Sequence, residues 1–340
     1  MIRRDAPAVA GGVSRSAGTT LVVRDLRVTF PGAGGGLPVV RGVSFTVPPG
    51  LTLGIVGESG SGKSVTVRAI MGLLPGRAAV AGSARIGGQE LIGLREAEMR
   101  RHRGSDIAMV FQDPMRSLNP TMRVGAQVAE VVRLHNQMSR RVAEREAVSL
   151  LAAVRLSDPE RRAREYPHQL SGGMRQRVVI AIALASRPNV LIADEATTAL
   201  DVTTELEILR LLDDLKSQYG MSVILITHDM GIAVRHTDQI VVMYAGKVVE
   251  TAVTKELFRA VRMPYTKALI NAVPSMDQIP HSFLPTIEGN PPNPARLPNG
   301  CSFSPRCPFA RDRCYQEGPD LLEGEPRHSW ACWYPLGAAS

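Results

Sequence analysis

Four short apolar runs in this chain stop abruptly at polar side chains. Leu51 to Val56 gives way to Gly57, Ile107 to Phe111 to Gln112, Val190 to Ala193 to the pair Asp194-Glu195, and Val223 to Thr227 to His228. Runs of this kind, without polar alternation, predict strands buried on both faces of a parallel sheet, and such sheets gather ligands at the carboxyl ends of their strands. Between them the spacing turns helical. Val65 to Leu74 follows the first strand, Val124 to Val132 and Arg141 to Val154 carry helical periodicity, and Val178 to Ala185 is an apolar helix. The pattern predicts an α/β fold whose doubly wound sheet brings all four polar strand ends to one edge.

The first of those ends carries a complete phosphate-binding motif, Gly57-Glu58-Ser59-Gly60-Ser61-Gly62-Lys63-Ser64, between its strand and its helix. The glycines let backbone N–H groups turn inward around a β-phosphate, Lys63 neutralises the β and γ charges, and the Ser64 hydroxyl can ligate Mg²⁺. At Asp194-Glu195 two adjacent carboxylates suit separate tasks: Asp194 holds Mg²⁺ through its shell, and Glu195 polarises an attacking water. A solvated acidic turn is the plainer reading of that pair. Gln112 and His228 say little alone, since a single histidine after a strand is usually a surface or capped core residue; their weight comes from where the sheet would bring them. A second anion site stands at Leu170-Ser171-Gly172-Gly173-Met174-Arg175-Gln176-Arg177, where Ser171 is a good N-cap and two glycines leave the helix N-terminus approachable. With one P-loop, a chain has no use for a second cradle unless a different subunit supplies the nucleotide.

Composition narrows the class. At 340 residues the chain exceeds one ordinary core, so a main domain with a smaller appendage is expected. Its longest strongly apolar stretch, Val178 to Ala185, falls far below the roughly 20 residues of a spanning helix. Met1 to Gly18 has Arg3 and Arg4 but no apolar segment like that of a signal peptide, and is expected to be a disordered tail, residues 1–19, of a cytoplasmic protein. A net charge of +8 suits anionic headgroups, nucleic acid or an acidic partner, while 4% aromatic content argues against stacking on single strands. Arg95, Arg100, Arg101 and Arg103 read as a solvated helix face. The four cysteines, Cys301, Cys307, Cys314 and Cys332, all fall in the last forty residues. Disulfides, a structural zinc and an iron–sulfur cluster are the three readings of that clustering.

Together these motifs resemble the nucleotide-binding subunit of ATP-binding cassette (ABC) transporters over residues 20–258. Leu170 to Arg177 is similar to the family signature, Gln112 to its Q-loop, Ala199-Leu200-Asp201 to its D-loop and His228 to its switch histidine. Ala196 stands where proline is common. The resemblance implies two such domains meeting head to tail, each ATP held between one P-loop and the opposite Ser171-Gly172-Gly173. It implies nucleotide contacts from Gly57, Ser59, Gly60, Ser61, Gly62, Lys63, Ser64 and Val65, and Mg²⁺ held by Ser64, Gln112 and Asp194. Glu195, His228, Gln112 and Lys63 become the catalytic set, with a helical subdomain over about 114–166. Phe30 either stacks on adenine or is a strand-end core residue.

Met263 to Leu269, the proline-rich Pro274 to Pro298, and Pro298 to Cys314 with Ser304-Pro305-Arg306-Cys307-Pro308 resemble the C-terminal extension of peptide and nickel importer ATPases. That branch implies two membrane-spanning permease subunits, a second ATPase subunit that is often a different chain, and an extracytoplasmic solute-binding protein. It implies no nucleic-acid partner, a place at the cytoplasmic face of the membrane, and an extension over 259–340. The cytoplasmic setting disfavours disulfides, and the resemblance implies a [4Fe–4S] cluster on the four cysteines, with zinc as the alternative. A nickel importer ATPase, a soluble cassette ATPase working on ribosomes or DNA, and a protein that holds ATP without turnover are the rival readings.

Overall fold

A computed structural model describes residues 20–32, 36–198, 200–273, 287–325 and 327–337. The expected tail and part of the proline-rich linker therefore lie outside the described residues. The chain opens with β1 (Leu21–Phe30) and β2 (Leu37–Val47), an antiparallel pair whose alternating burial marks one wet and one packed face. The first parallel strand, β3 (Thr52–Val56), is buried throughout and leads through the P-loop into α1 (Lys63–Ile70). The chain then returns to the first sheet with β4 (Ala79–Ile86) and β5 (Gln89–Glu90), giving the order β2-β1-β4-β5. After α2 (Glu96–His102) comes β6 (Ile107–Val110), followed by the short α3 (Pro114–Ser117), α4 (Val124–Asn136), α5 (Arg140–Ala153) and the short α6 (Pro159–Arg162).

The core resumes with α7 (Gly172–Leu184), β7 (Val190–Asp194), α8 (Val202–Tyr219), β8 (Ser222–Thr227), α9 (Met230–His236), β9 (Gln239–Tyr244) and β10 (Lys247–Val253). Then α10 (Thr254–Arg259) and α11 (Pro264–Asn271) precede α12 (Asp312–Gln316), β11 (Leu322–Glu325) and β12 (His328–Trp330). The second sheet has eight strands in the order β11-β12-β10-β9-β3-β8-β7-β6, parallel from β9 to β6 and antiparallel beyond β9. Strand pairing thus carries the cysteine-bearing segment onto the main sheet, with Glu250 opposite Trp330 and Ala252 opposite His328.

Period-two alternation sorts the strand residues between two cores. Val190 and Ile192 join Ile107, Met109, Ile224 and Ile226 under α1 and the antiparallel sheet. Leu191 and Ala193, with Ala108, Val110, Val223 and Leu225, face α4, α5, α7 and α8. Helix α8 shows why such a segment folds as it does. Asp201 caps its first turn by accepting from the Thr204 amide at 3.0 Å and hydroxyl at 2.7 Å, and left-handed Gly220 ends it. Ile208, Leu211, Leu212 and Leu215 form its buried stripe.

The expected helix Arg141 to Val154 is α5 shifted by one residue, and the helices expected from Val65 and Val178 begin earlier, at Lys63 and Gly172. Glycine-rich starts hide a helix from periodicity, because their backbone bonds need no apolar side chain. Arg103 departs from the expected solvated face. Its guanidinium donates to the carbonyls of Met71 (2.9 Å) and Gly72 (3.0 Å) just past α1, where orphan carbonyls and the helix dipole favour a cation.

Candidate functional site

The sheet brings the four polar strand ends together. The Ser64 hydroxyl, at the start of α1, donates to Asp194 Oδ1 at 2.6 Å, and Arg68 of the same helix lies 3.4 Å from Oδ2. Gln112 Nε2 donates to Glu195 Oε2 at 3.1 Å, and His228 Nδ1 lies 3.9 Å from Oε1. Glu195 holds a left-handed backbone at φ 48°, an uncommon conformation for a non-glycine, and its amide donates to the Ile226 carbonyl. Ala196, where proline was the common residue, is buried against the helical core.

Within the P-loop, Lys63 is almost fully buried and its ammonium donates to the loop's own carbonyls, Gly57 at 2.7 Å and Glu58 at 3.0 Å. Burial lowers its pKa, and the carboxylates of Glu195, Asp194 and Glu58 oppose that shift. The Ser61 hydroxyl is buried without a protein partner, and Ser59 and Gly60 are exposed at the loop tip. Gly57 tolerates no side chain: its φ is +149°, and a Cβ would stand 2.2 Å from the Met243 carbonyl. An orphan hydroxyl, a buried cation and the free amides of a helix start form a cradle that fits a nucleotide's phosphates. Ser64 and Asp194, with Gln112 beside them on Glu195, supply the oxygen donors a Mg²⁺ ion prefers.

At the expected second cradle the two glycines differ in their surroundings. Ser171 caps α7 by accepting from the Met174 amide at 3.3 Å, and Ser171 and Gly172 are exposed. Gly173, however, answers to a neighbour inside the chain: a Cβ there would lie 2.5 Å from Cγ2 of Thr204, on α8. Its smallness lets α7 and α8 approach. Ala199 of the D-loop lies outside the described residues, while Asp201 caps α8. Phe30 ends β1, half-buried against the core beneath the antiparallel sheet, which leaves both of its readings standing.

The four cysteines, all free, line one small apolar cavity with Phe303 and Trp333. Burial raises the thiols of Cys301 and Cys307 above their ordinary range and pushes Cys332 up to about 11, with the neighbouring sulfurs adding to each shift. Among the described residues, no group of three or more His, Cys, Asp or Glu side chains is disposed to hold a metal ion. The donor set itself, four thiols walled by apolar groups, matches a soft metal rather than a hard cation.

A family model described as ABC transporter matches residues 40–198, and one described as oligopeptide/dipeptide transporter, C-terminal region, matches residues 249–314. The oligopeptide transport ATP-binding protein OppD of Salmonella typhimurium is 48% identical over 320 residues, 94% of this chain and 95% of its own length. The chain belongs to the oligopeptide/dipeptide transport ATP-binding protein family. This family member is an ABC transporter ATPase and binds ATP. The dipeptide transport ATP-binding protein DppD of Bacillus subtilis is 46% identical, covering 92% of this chain and 94% of its own. A solved dimeric ATP-binding cassette in a post-hydrolysis state with ADP and Pi aligns with a TM-score of 0.62 at 29% identity, covering 69% of this chain and 98% of its own. Among the described residues no helix is long and apolar enough to cross a membrane.

Proposed function

We propose that this family member hydrolyses ATP by in-line attack of water to power uptake of di- or oligopeptides. The meeting of Ser64, Asp194, Gln112, Glu195 and His228 at one sheet edge carries the reading. Lys63 leaves its loop carbonyls to neutralise the β and γ phosphates, and backbone amides of the loop and the start of α1 hold them. Glu195, oriented by Gln112, takes the proton of the attacking water as its oxygen bonds to the γ-phosphorus and the bond to ADP breaks. His228 steadies the charge that develops on the γ-phosphoryl oxygens. Ser64, Asp194 and Gln112 would hold Mg²⁺, which would supply neutralisation of the phosphate charge.

The exposed N-terminus of α7, with Ser171, Gly172 and Gly173, faces the nucleotide of a second ATPase subunit of the same or a different chain. Two permease subunits carry the peptide, a solute-binding protein delivers it outside, and this subunit works at the cytoplasmic face without touching it. Glu195→Gln is expected to keep ATP binding, abolish most turnover and trap the closed ATPase pair. Normal turnover by the assembled variant overturns the role of Glu195.

We propose further that the four cysteines, which as they stand are not disposed to hold a metal ion, would close on a [4Fe–4S] cluster that staples the extension. The supporting observation is the shared apolar cavity that all four thiols line. Iron and acid-labile sulfide in anaerobically purified protein are the expected result; zinc alone, or no metal, overturns it.

A further inference from the structure

One ion pair joins the cysteine loop to the P-loop across most of the chain's length. Arg306, just before Cys307, meets Glu58, the second residue of the phosphate-binding motif, with both nitrogens of its fork: Nη1 donates to Oε2 at 2.7 Å and Nη2 to Oε1 at 2.9 Å. Its side chain is 5% exposed and that of Glu58 22%. The remaining donors are also used. Nη1 reaches the Tyr244 hydroxyl at 3.2 Å, Nη2 the Ile287 carbonyl at 3.2 Å, and Nε the Glu288 carbonyl at 2.8 Å. An arginine has five N–H donors, so its fork is saturated and its position fixed by five acceptors.

Glu58 is held from three directions. Its amide donates to the Tyr265 hydroxyl of α11 at 2.9 Å, its carbonyl accepts from Lys63, and its carboxylate takes Arg306. Tyr244, Tyr265 and Phe303 pack edge and tilt against one another beneath this point, so β9, α11 and the cysteine loop meet there as one solid. A carboxylate beside a phosphate cradle repels the ligand unless a cation neutralises it.

We propose that Arg306 is a positioning residue for nucleotide binding: acting through Glu58, it neutralises that carboxylate and fixes the P-loop, so that the cysteine loop and the nucleotide site are coupled. The proposal rests on the P-loop as the nucleotide site and is independent of what the thiols hold. By reciprocity, nucleotide must tighten the cysteine loop as much as that loop favours nucleotide.

The test is nucleotide affinity of the purified full chain, measured with a fluorescent ATP analogue. Arg306→Ala is expected to weaken binding about fivefold or more, Arg306→Lys to recover part of it, and Arg306→Ala in a Glu58→Ala background to change it less than about twofold, because its target is gone. Arg313→Ala, which removes an exposed pair with Glu317 in the same extension, leaves affinity unchanged. Hydrogen exchange of residues 300–308 slows with nucleotide in the wild type and not in Glu58→Ala. Wild-type affinity in Arg306→Ala, or an equal loss in both backgrounds, overturns the coupling. If Arg306→Ala does not fold, the same cycle is run with Arg306→Lys and Glu58→Gln, and additivity there overturns it. Lys63→Ala with wild-type affinity would instead overturn the P-loop reading.

Discussion

Gly173 carries a packing demand that its place at a helix start did not announce. Two glycines at a helix start suggested room for an outside phosphate; the second of them also makes room for Thr204, 2.5 Å from where a Cβ would stand. Gly173→Ala is therefore expected to lower stability by about 1–3 kcal/mol through overpacking. Adding Thr204→Ser, which removes the crowding methyl and keeps the hydroxyl that bonds Asp201, should restore much of it; urea denaturation of the two variants checks both. The cysteines give a pH prediction at the same scale. Cys301, Cys307 and Cys332 have raised folded pKa values, Cys332 about 11, so their contribution to stability is fully present below the ordinary thiol pKa and is lost as pH rises through the folded values. In metal-free protein, alkylation of Cys332 at pH 8 should be slow, with about one thiolate per thousand, and should speed up about tenfold per pH unit. Rapid labelling at pH 8 contradicts the burial that shifts it. Nothing in the spacing of the cysteines announced that burial, since the side chains that share their cavity include Met263 and Trp333, brought there by the fold.

At the scale of elements, β12 decides how the extension is attached. Glu250 on β10 has no exposure and accepts from the Arg262 amide at 2.7 Å, the Met263 amide at 3.2 Å and His328 Nε2 at 2.8 Å. One carboxylate thereby ties β10 to the start of α11 and to β12. His328→Ala leaves part of that buried acceptor unmatched and is expected to cost about 1–3 kcal/mol. Limited proteolysis should then release the segment after residue 287 sooner than in the wild type. The four apolar strands and the helices between them were legible because burial on both faces leaves unbroken apolar runs and helices leave a 3.6-residue period. Three-residue β12 was not, for His328-Ser329-Trp330 has no apolar run and acquires its strand from the edge β10 offers.

For the whole molecule, the extension is part of the fold that carries the nucleotide site. Tyr244, Tyr265 and Phe303 share one core with Ile240, Val242 and Leu257, and Arg306 closes it over the P-loop. Truncation after Val273 would uncover that core, and the expected outcome is a melting midpoint lower by about 5–10 °C; a truncated chain that melts like the full one contradicts this. The sequence by itself determined the P-loop, the carboxylate pair, the signature and the presence of buried parallel strands, because each depends on residues adjacent in the chain and on a burial pattern repeated along it. Only the tertiary structure decided that Ser64 meets Asp194 and Gln112 meets Glu195, that Gly173 serves Thr204, that the cysteines share a cavity, and that Arg306 grips Glu58. Those partners lie between 31 and 248 residues apart where a pair is bonded or packed, and a side chain leaves no local trace of a neighbour that only folding brings to it.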